Sequence, residues 1–214
     1  MKAALVLMCS PHAGGISDLL AETFAGGLED AGWPAERLAL RAHPVQPCTG
    51  CGACAQPPHT CVLAGQDDAE WVFARFAEAP LVLLASPIFF YALPATFKAW
   101  IDRGQRFWAA RAFGNGRKAG APPREPDAKP VLAVLAAGRP RGEELFSGAL
   151  RTLSWFAASL GTRLAENRVF RGLDRREDLA SRPDDMSALC EWGRAWGHRL
   201  TAAEKLPCEA PSRR

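Results

Sequence analysis

The sequence predicts an α/β protein built on a doubly wound parallel sheet of about five strands. Apolar runs of strand length alternate along the chain with segments that have helical periodicity. "PLVLLAS" is the most apolar of these runs, as expected for a central parallel strand that is buried on both faces. A chain of 214 residues with 48% apolar content can bury the core of a single domain, which we place at residues 1–206.

The first half of the chain predicts two strands, each followed by a helix. "KAALVLMCS" is the first strand, and the next helix carries Leu19, Leu20, Phe24 and Leu28 at helical spacing. "AERLALRA" is the second strand, followed by a loop rich in Pro, Cys and His. "DDAEWVFARFAEA" then predicts a helix that opens with acidic residues and buries Trp71, Val72, Phe73 and Phe76.

The second half continues the alternation. The strand "PLVLLAS" leads through "SPIFFYALP" into one helix, "ATFKAWIDRGQRFW", and the Gly- and Pro-rich stretch after it predicts a loop. "VLAVLAAG" and "TRLAENRVF" are the fourth and fifth strands, separated by the helix "EELFSGALRTLSWFAASLG". The closing helix has an apolar stripe of Leu189, Trp192, Trp196 and Leu200, and residues 207–214 are a tail.

Composition excludes several classes of function. The net charge of +3 is small and the basic residues are scattered, so we expect no nucleic-acid partner. The chain has no run of about 18 apolar residues and no secretory pattern at its start, so we expect no membrane partner. We therefore predict a soluble cytoplasmic protein whose thiols stay reduced.

The loop after the first strand, "CSPHAGGIS", has the composition of a phosphate site. Small residues such as Gly14 and Gly15 let backbone N–H groups turn inward, and a helix N-terminus adds partial positive charge. Ser10, Ser17 and His12 add side-chain donors. The alternative is a plain turn in which Ser17 only caps the helix. The loop lacks the dinucleotide fingerprint and the P-loop lysine, which favours a mononucleotide.

The loop after the third strand favours a planar ligand. Phe89, Phe90 and Tyr91 at the end of a central strand offer an apolar wall, and Ser86 with the loop amides offers directional hydrogen bonds. This combination suits a heteroaromatic ring such as flavin. The alternative is core packing, which we assign to Ile88 and one of the two phenylalanines.

Four of the seven cysteines lie in one short loop with the spacing C-x2-C-x2-C-x6-C. They are Cys48, Cys51, Cys54 and Cys61. This spacing is typical of iron–sulfur ligation, whereas zinc sites usually pair two C-x2-C knuckles across a long segment. One cluster, a zinc ion and an empty thiol loop are the alternatives, and a disulfide knot is the least favoured. Cys9, Cys190 and Cys208 lie outside the motif.

Three motifs together resemble a known family. "SPHAGGIS", "SPIFFYALPATFKAWIDR" and the cysteine loop followed by "QDD" are similar to the NAD(P)H-dependent FMN reductases, and most closely to the iron-sulfur flavoproteins among them. The resemblance implies a flavodoxin-like three-layer sandwich with strand order 2-1-3-4-5. It also implies a cluster loop at residues 42–66 after strand 2, FMN, a [4Fe-4S] cluster and NAD(P)H as a donor.

The resemblance assigns site residues position by position. The residues that match the FMN phosphate loop are Ser10, His12, Gly14, Gly15, Ile16 and Ser17. The family often has arginine at the position of His12 and asparagine at the position of Ile16. Ser86, Pro87, Ile88, Phe89, Phe90 and Tyr91 match the ring and ribityl segment, and Ala137, Gly138 and Arg139 match a third loop. Cys48, Cys51, Cys54 and Cys61 match the [4Fe-4S] ligands. No residue is assigned as a catalytic acid or base, because the flavin carries the chemistry.

Three functions remain open. The first is electron transfer between a ferredoxin-like carrier, the cluster and FMN; the second is NAD(P)H-dependent reduction of FMN or a quinone without a cluster. The third is a non-catalytic flavin- or zinc-binding module. Arg103, Arg106, Arg111, Arg117 and Lys118 form a basic group that we place near the flavin, where it would attract a pyridine nucleotide or an acidic ferredoxin. The resemblance also implies a homodimer or homotetramer, in which the cysteine loop of one subunit approaches the flavin of the next.

Overall fold

The computed structural model describes residues 2–113 and 128–205. The elements follow one another as β1 (Ala4–Met8), α1 (Ile16–Asp30), β2 (Ala35–Ala39), α2 (Ala69–Glu78), β3 (Val82–Pro87), α3 (Ala95–Arg103), α4 (Gln105–Phe113), β4 (Pro130–Ala137), α5 (Ser147–Ser159), β5 (Arg163–Arg171), α6 (Arg176–Ala180) and α7 (Pro183–Lys205). Short 3-10 turns lie at Leu40–Ala42 and Ala53–Ala55. The tail 207–214 and most of the predicted Gly- and Pro-rich loop fall outside the described residues.

The five strands form one parallel sheet in the order β2-β1-β3-β4-β5, which is the flavodoxin-like order. The predicted fold is therefore confirmed. Since β1 and β3 are neighbours, with Met8 opposite Ala85, the loops that follow them emerge side by side at the carboxyl edge. That crevice is where an open α/β sheet places its ligand.

Each face of the sheet has its own apolar core. Leu5 and Leu7 of β1 point to one face, with α2, α3 and α5, while Val6 and Met8 point to the other, with α1 and α7. All four predicted stripe residues of α7 are buried in the second core, as expected. None of the described helices is long and apolar enough to cross a membrane.

Two expectations about helices were wrong. Trp71 is exposed and stacks on His43 instead of entering the core, because the face that α2 turns to the sheet carries Ala69, Val72, Phe73 and Phe76. The predicted single helix after the third strand is two helices, α3 and α4, with a break at Gly104. A Cβ at that position would lie 2.8 Å from the Ile101 carbonyl oxygen and 3.0 Å from the Phe156 ring.

Candidate functional site

The loop between β1 and α1 presents an uncapped helix N-terminus. Gly14 adopts a positive φ of 64°, and the extended Gly15 leads into α1 with no side chain bonded to the first turn. The Oγ of the buried Ser10 accepts the backbone N–H of His12 at 3.1 Å, while the His12 side chain is exposed. Ser17 is buried in the first turn. The 15 residues of α1 bring partial positive charge to this loop, which favours an anionic group.

Two arginines that sequence reasoning missed lie beside this loop. Arg41 pairs with the buried Asp18 at 2.9 Å and donates to the carbonyl of Ser10 at 3.2 Å. Asp18 also accepts the N–H of Gly14 at 2.8 Å, so this ion pair holds the loop in shape. The Arg176 side chain of α6 also lies beside the loop, 3.8 Å from where a Cβ on Gly14 would lie. The position of Arg41 just after β2, the neighbour of β1, was a signal for it; nothing in the sequence pointed to Arg176.

The loop after β3 folds into a tight two-residue turn. Phe89 and Ala92 exchange backbone hydrogen bonds of 2.9 Å, which leaves Phe90 and Tyr91 at the turn with φ of 49° and 62°. Turns of this type usually carry Asn-Gly, because side chains with a Cβ adopt positive φ at a cost. Strain of this kind concentrates at functional sites.

The turn exposes all three aromatic side chains. Phe90 is fully exposed, and Phe89 and Tyr91 are about two-fifths exposed. The expectation that one phenylalanine packs in the core was wrong, whereas Ile88 does pack against it. Ser86 also differs from expectation: it is fully buried and its hydroxyl donates to the Pro87 carbonyl at 2.9 Å, so it offers no donor at the surface.

The loop after β4 closes one side of the same region. Ala137 is buried at the end of the strand, and Gly138 is exposed. A Cβ on Gly138 would lie 2.7 Å from an Asp174 carboxylate oxygen, so only glycine fits there without a shift. The Arg139 guanidinium stands 5.7 Å from the centre of the Tyr91 ring. The loops after β3 and β4 are therefore in contact, as the predicted site requires.

The four loop cysteines line a single pocket together with Arg103 and Arg106 of α3 and α4. Burial, with smaller contributions from the three neighbouring thiols, raises the pKa of Cys54. The N–H of Ala53 and then the hydroxyl of Thr49 donate to the exposed Cys51 sulfur and lower its pKa. The six cysteines in the described part of the chain are free thiols.

The thiols surround the pocket but do not meet at one point. Residues 2–113 and 128–205 contain no group of three or more His, Cys, Asp or Glu side chains placed to hold one metal ion. A zinc ion needs four ligands around one atom, whereas a [4Fe-4S] cluster presents a separate iron to each thiolate. Four thiols around one pocket are the type of donor that an iron–sulfur cluster takes.

The cysteine loop is closed at its base by the protein itself. The N–H of Gln46 donates to Asp67 at 2.8 Å, and the N–H of Asp68 donates to the Pro44 carbonyl at 3.0 Å. Arg103 then bonds Asp67 at 2.5 Å and the Gln46 carbonyl at 3.2 Å. These contacts join the two ends of the loop without any metal.

A sequence model of the family described as NADPH-dependent FMN reductase matches residues 1–164, a span that includes every loop described above. The chain belongs to this family.

Two curated relatives share part of this region. An iron-sulfur flavoprotein of Archaeoglobus fulgidus is 29% identical over 100 residues, which cover 47% of this chain and 44% of that protein. Iron-sulfur flavoprotein MJ1083 of Methanocaldococcus jannaschii is 26% identical over 96 residues, covering 45% and 48%. The matches thus span about half the length of each relative.

A solved structure described as flavone reductase superposes with a TM-score of 0.65 at 16% identity. The match covers 96% of this chain and 65% of that one. At this identity the likeness concerns the fold.

Two observations indicate that FMN, the cofactor in the family's name, fits this site. The first is the uncapped N-terminus of α1 beside Arg41, which suits a phosphate. The second is the strained turn that exposes Phe90 and Tyr91 next to Arg139, which suits a planar ring. Both lie at the carboxyl edge between β1 and β3.

The three described members of the predicted basic group do not lie together beside the flavin loops. Arg103 and Arg106 line the cysteine pocket, and Arg103 is buried. Arg111 lies against Gly161, before β5 begins and therefore at the opposite edge of the sheet from the flavin loops. Arg117 and Lys118 lie outside the described residues.

Proposed function

We propose that the protein is an FMN-dependent oxidoreductase that transfers electrons between FMN and a [4Fe-4S] cluster. FMN binds at the loops after β1, β3 and β4, and Cys48, Cys51, Cys54 and Cys61 hold the cluster. The observation that carries the proposal is the convergence of these four free thiols on one pocket, in a chain of the FMN reductase family. The names of the two partial relatives support the same combination.

The protein's own residues bind and orient the flavin. The first turn of α1 and Arg41 receive the phosphate, and Arg176 stands near enough to add charge. Phe90 and Tyr91 cover the ring, since their side chains project from a fixed turn. FMN, when bound, accepts electrons singly or as a hydride and passes them on. No side chain has to act as an acid or a base.

At the second centre the loop supplies ligands and a closed base. The contacts of Asp67 and Arg103 hold together the two ends of the loop that carries the thiols. The exposed Cys51 leaves one side accessible to a partner. We propose a ferredoxin-like carrier there and a reducing, cytoplasmic location, because free thiols and a cluster both need reducing conditions.

Substitution of one cysteine tests the proposal. We expect Cys51→Ser, purified without air, to lose iron and its reduction by a ferredoxin while it keeps FMN. The matched control is Cys190→Ser, since Cys190 is a half-buried free thiol on α7 that does not line the pocket. A Cys51→Ser protein that keeps its iron and its reduction by the carrier contradicts the proposal.

The family name favours a second candidate, an NAD(P)H-dependent FMN or quinone reductase without a cluster. It predicts rapid NADPH oxidation with a quinone or free FMN as acceptor and no added ferredoxin. It also predicts that Cys51→Ser leaves this rate unchanged. The first candidate predicts slow oxidation of NADPH unless an electron carrier is present.

A further inference from the structure

Three buried guanidinium nitrogen atoms without a hydrogen-bond partner belong to two arginines that line the cysteine pocket. The Arg103 side chain has no solvent exposure, yet its Nε and Nη2 find no hydrogen-bond acceptor among the described residues. The same holds for Nε of Arg106. Buried donors are nearly always paired, so three open donors at one pocket wall indicate an occupant that accepts hydrogen bonds and carries negative charge.

Both guanidinium groups are fixed from the side away from the pocket. Nη1 of Arg103 donates to Asp67 at 2.5 Å and to the Gln46 carbonyl at 3.2 Å. Arg106 pairs with Glu70, and its guanidinium carbon lies 3.8 Å from the centre of the Phe107 ring. These contacts leave the remaining N–H groups with little freedom to turn elsewhere.

Arg103 lines the same pocket as the four cysteines. An arginine side chain is always charged in proteins. The guanidinium is therefore a permanent positive charge beside the thiols. An iron–sulfur centre becomes more negative by one charge when it is reduced, so a fixed cation and donors to its sulfurs favour the reduced state.

We propose that Arg103, assisted by Arg106, is a positioning residue of the cysteine pocket that donates hydrogen bonds to the cluster's sulfur atoms and raises its reduction potential. This inference rests on the proposed function, since it requires a cluster in the pocket. It makes α3 and α4, which lie outside the cysteine motif, part of the metal site.

The test compares two double variants with the same change in charge. Arg103→Met with Asp67→Asn removes the donors, keeps the net charge and leaves no unpaired carboxylate. The control, Lys98→Met with Asp102→Asn, removes an exposed ion pair of 2.6 Å on the same helix that does not line the pocket. The cluster's potential is titrated by electron paramagnetic resonance on anaerobic protein, with iron counted per chain.

We expect the first double variant to retain iron and to show at least a tenfold lower ratio of reduced to oxidised cluster at a fixed potential. A tenfold lower ratio corresponds to a reduction potential that is lower by about 59 mV for a one-electron couple. The control should match the wild type. An unchanged ratio with iron present overturns the inference and leaves the proposed function standing. Wild-type protein that holds no iron overturns both.

If the double variant fails to fold, Arg103→Lys, measured in parallel, tests whether Arg103 donates hydrogen bonds to the cluster. Lysine keeps the charge and the partner Asp67 but lacks the planar fork that supplies Nε and Nη2. A ratio lowered by at least about threefold supports donation by these atoms, since hydrogen bonds to cluster sulfurs are one determinant of the potential. A ratio equal to the wild type overturns it.

Discussion

Phe90 and Tyr91 occupy a backbone conformation that glycine adopts more easily. Their φ angles of 49° and 62° place both residues in the left-handed region, where an L side chain costs about 1–2 kcal/mol. Phe90 is also fully exposed, so it gains no burial within the chain. A residue that costs stability and buries nothing is best explained by a ligand that it contacts.

We therefore expect Phe90→Gly to stabilise the flavin-free protein while weakening FMN binding. Relief of strain, less the entropy that glycine loses, should raise the free energy of unfolding by about 0.5–1 kcal/mol. Loss of the ring contact should raise the Kd for FMN at least about tenfold, equivalent to ~1.4 kcal/mol. Denaturant unfolding and flavin fluorescence titration measure the two effects.

Phe113→Ala is the control, because Phe113 is an exposed aromatic residue away from the flavin loops. It should leave FMN binding unchanged. A Phe90→Gly protein that binds FMN as tightly as the wild type would place the flavin ring elsewhere.

The position and exposure of a site residue were predictable where they depend on the local motif, and were not where a neighbouring residue determines them. The exposed Tyr91 follows from its place after a central strand, and Ser10 from its place in the first loop. Ser86 was misjudged because the alternation of a strand does not reveal that its hydroxyl bonds the next carbonyl. Arg176 comes from α6, a five-residue helix with no periodicity to detect.

At the level of elements, α1 and α7 pack closely through glycine. A Cβ on Gly27 would overlap the carbonyl oxygen of Cys190, and one on Gly193 would overlap that of Phe24. The next residue, Gly26, has nothing within 4 Å of such a Cβ. Two adjacent glycines of one helix thus have opposite environments.

We expect Gly27→Ala to destabilise the protein by about 1–3 kcal/mol, because the added methyl forces the helices apart. Gly26→Ala should instead stabilise it by about 0.5–1 kcal/mol through better helix propensity. Thermal and denaturant unfolding of the two variants provide the comparison. Equal effects of the two substitutions would mean that α1 and α7 do not pack in this way.

Glu166 of β5 forms hydrogen bonds with α7, and these bonds should make the stability of the protein depend on pH. It accepts hydrogen bonds from Trp192 Nε1 at 2.6 Å and from Arg199 at 2.7 Å. Burial opposes its ionisation, but these donors outweigh that cost and lower its pKa below the ordinary 4.5. The stabilisation should be fully present above that value and disappear as the pH falls through the lowered pKa of the folded state.

Unfolding free energies of wild type and Glu166→Gln across the acid range measure this contribution. The difference between the two proteins should shrink as the pH falls below about 4.5. A difference that stays constant over the whole range would show that the ionised form of Glu166 contributes nothing to stability.

The parallel sheet was predictable because buried parallel strands have a distinctive composition, whereas the strand order was implied by the resemblance to the FMN reductases. "PLVLLAS" and "VLAVLAAG" are apolar on both faces, and helical segments of the right length separate them. The break at Gly104 was not predictable from local periodicity, and the Phe156 ring that approaches this position belongs to a helix distant in sequence. Periodicity reports which face is buried and does not report what packs against it.

For the whole molecule we expect a homodimer or homotetramer. Trp108, Phe113 and Trp155 expose large apolar areas, and two of them line a groove of about 400 Å³ between the α3–α4 pair and α5. At the level of the sequence, this expectation rests on the resemblance alone. The structure narrows the possible location of the subunit interface, because the tryptophans of α7 are already buried against α1.

Trp155→Glu should shift the protein towards monomer in light scattering at micromolar concentration, because a charge cannot be buried there unpaired. Trp71→Glu is the control, since Trp71 is similarly exposed on α2. A wild-type monomer, or an equal effect of both substitutions, would contradict an interface at this groove.

If one chain binds both FMN and a [4Fe-4S] cluster, counting the two cofactors per chain shows it most directly. Iron, acid-labile sulfide and FMN are determined per chain on wild-type protein purified and reconstituted without air. We predict about four iron and four sulfide per FMN, as a single [4Fe-4S] cluster requires. Stoichiometric FMN with no iron after anaerobic reconstitution would contradict the claim and leave a flavin reductase whose cysteine loop holds no cluster.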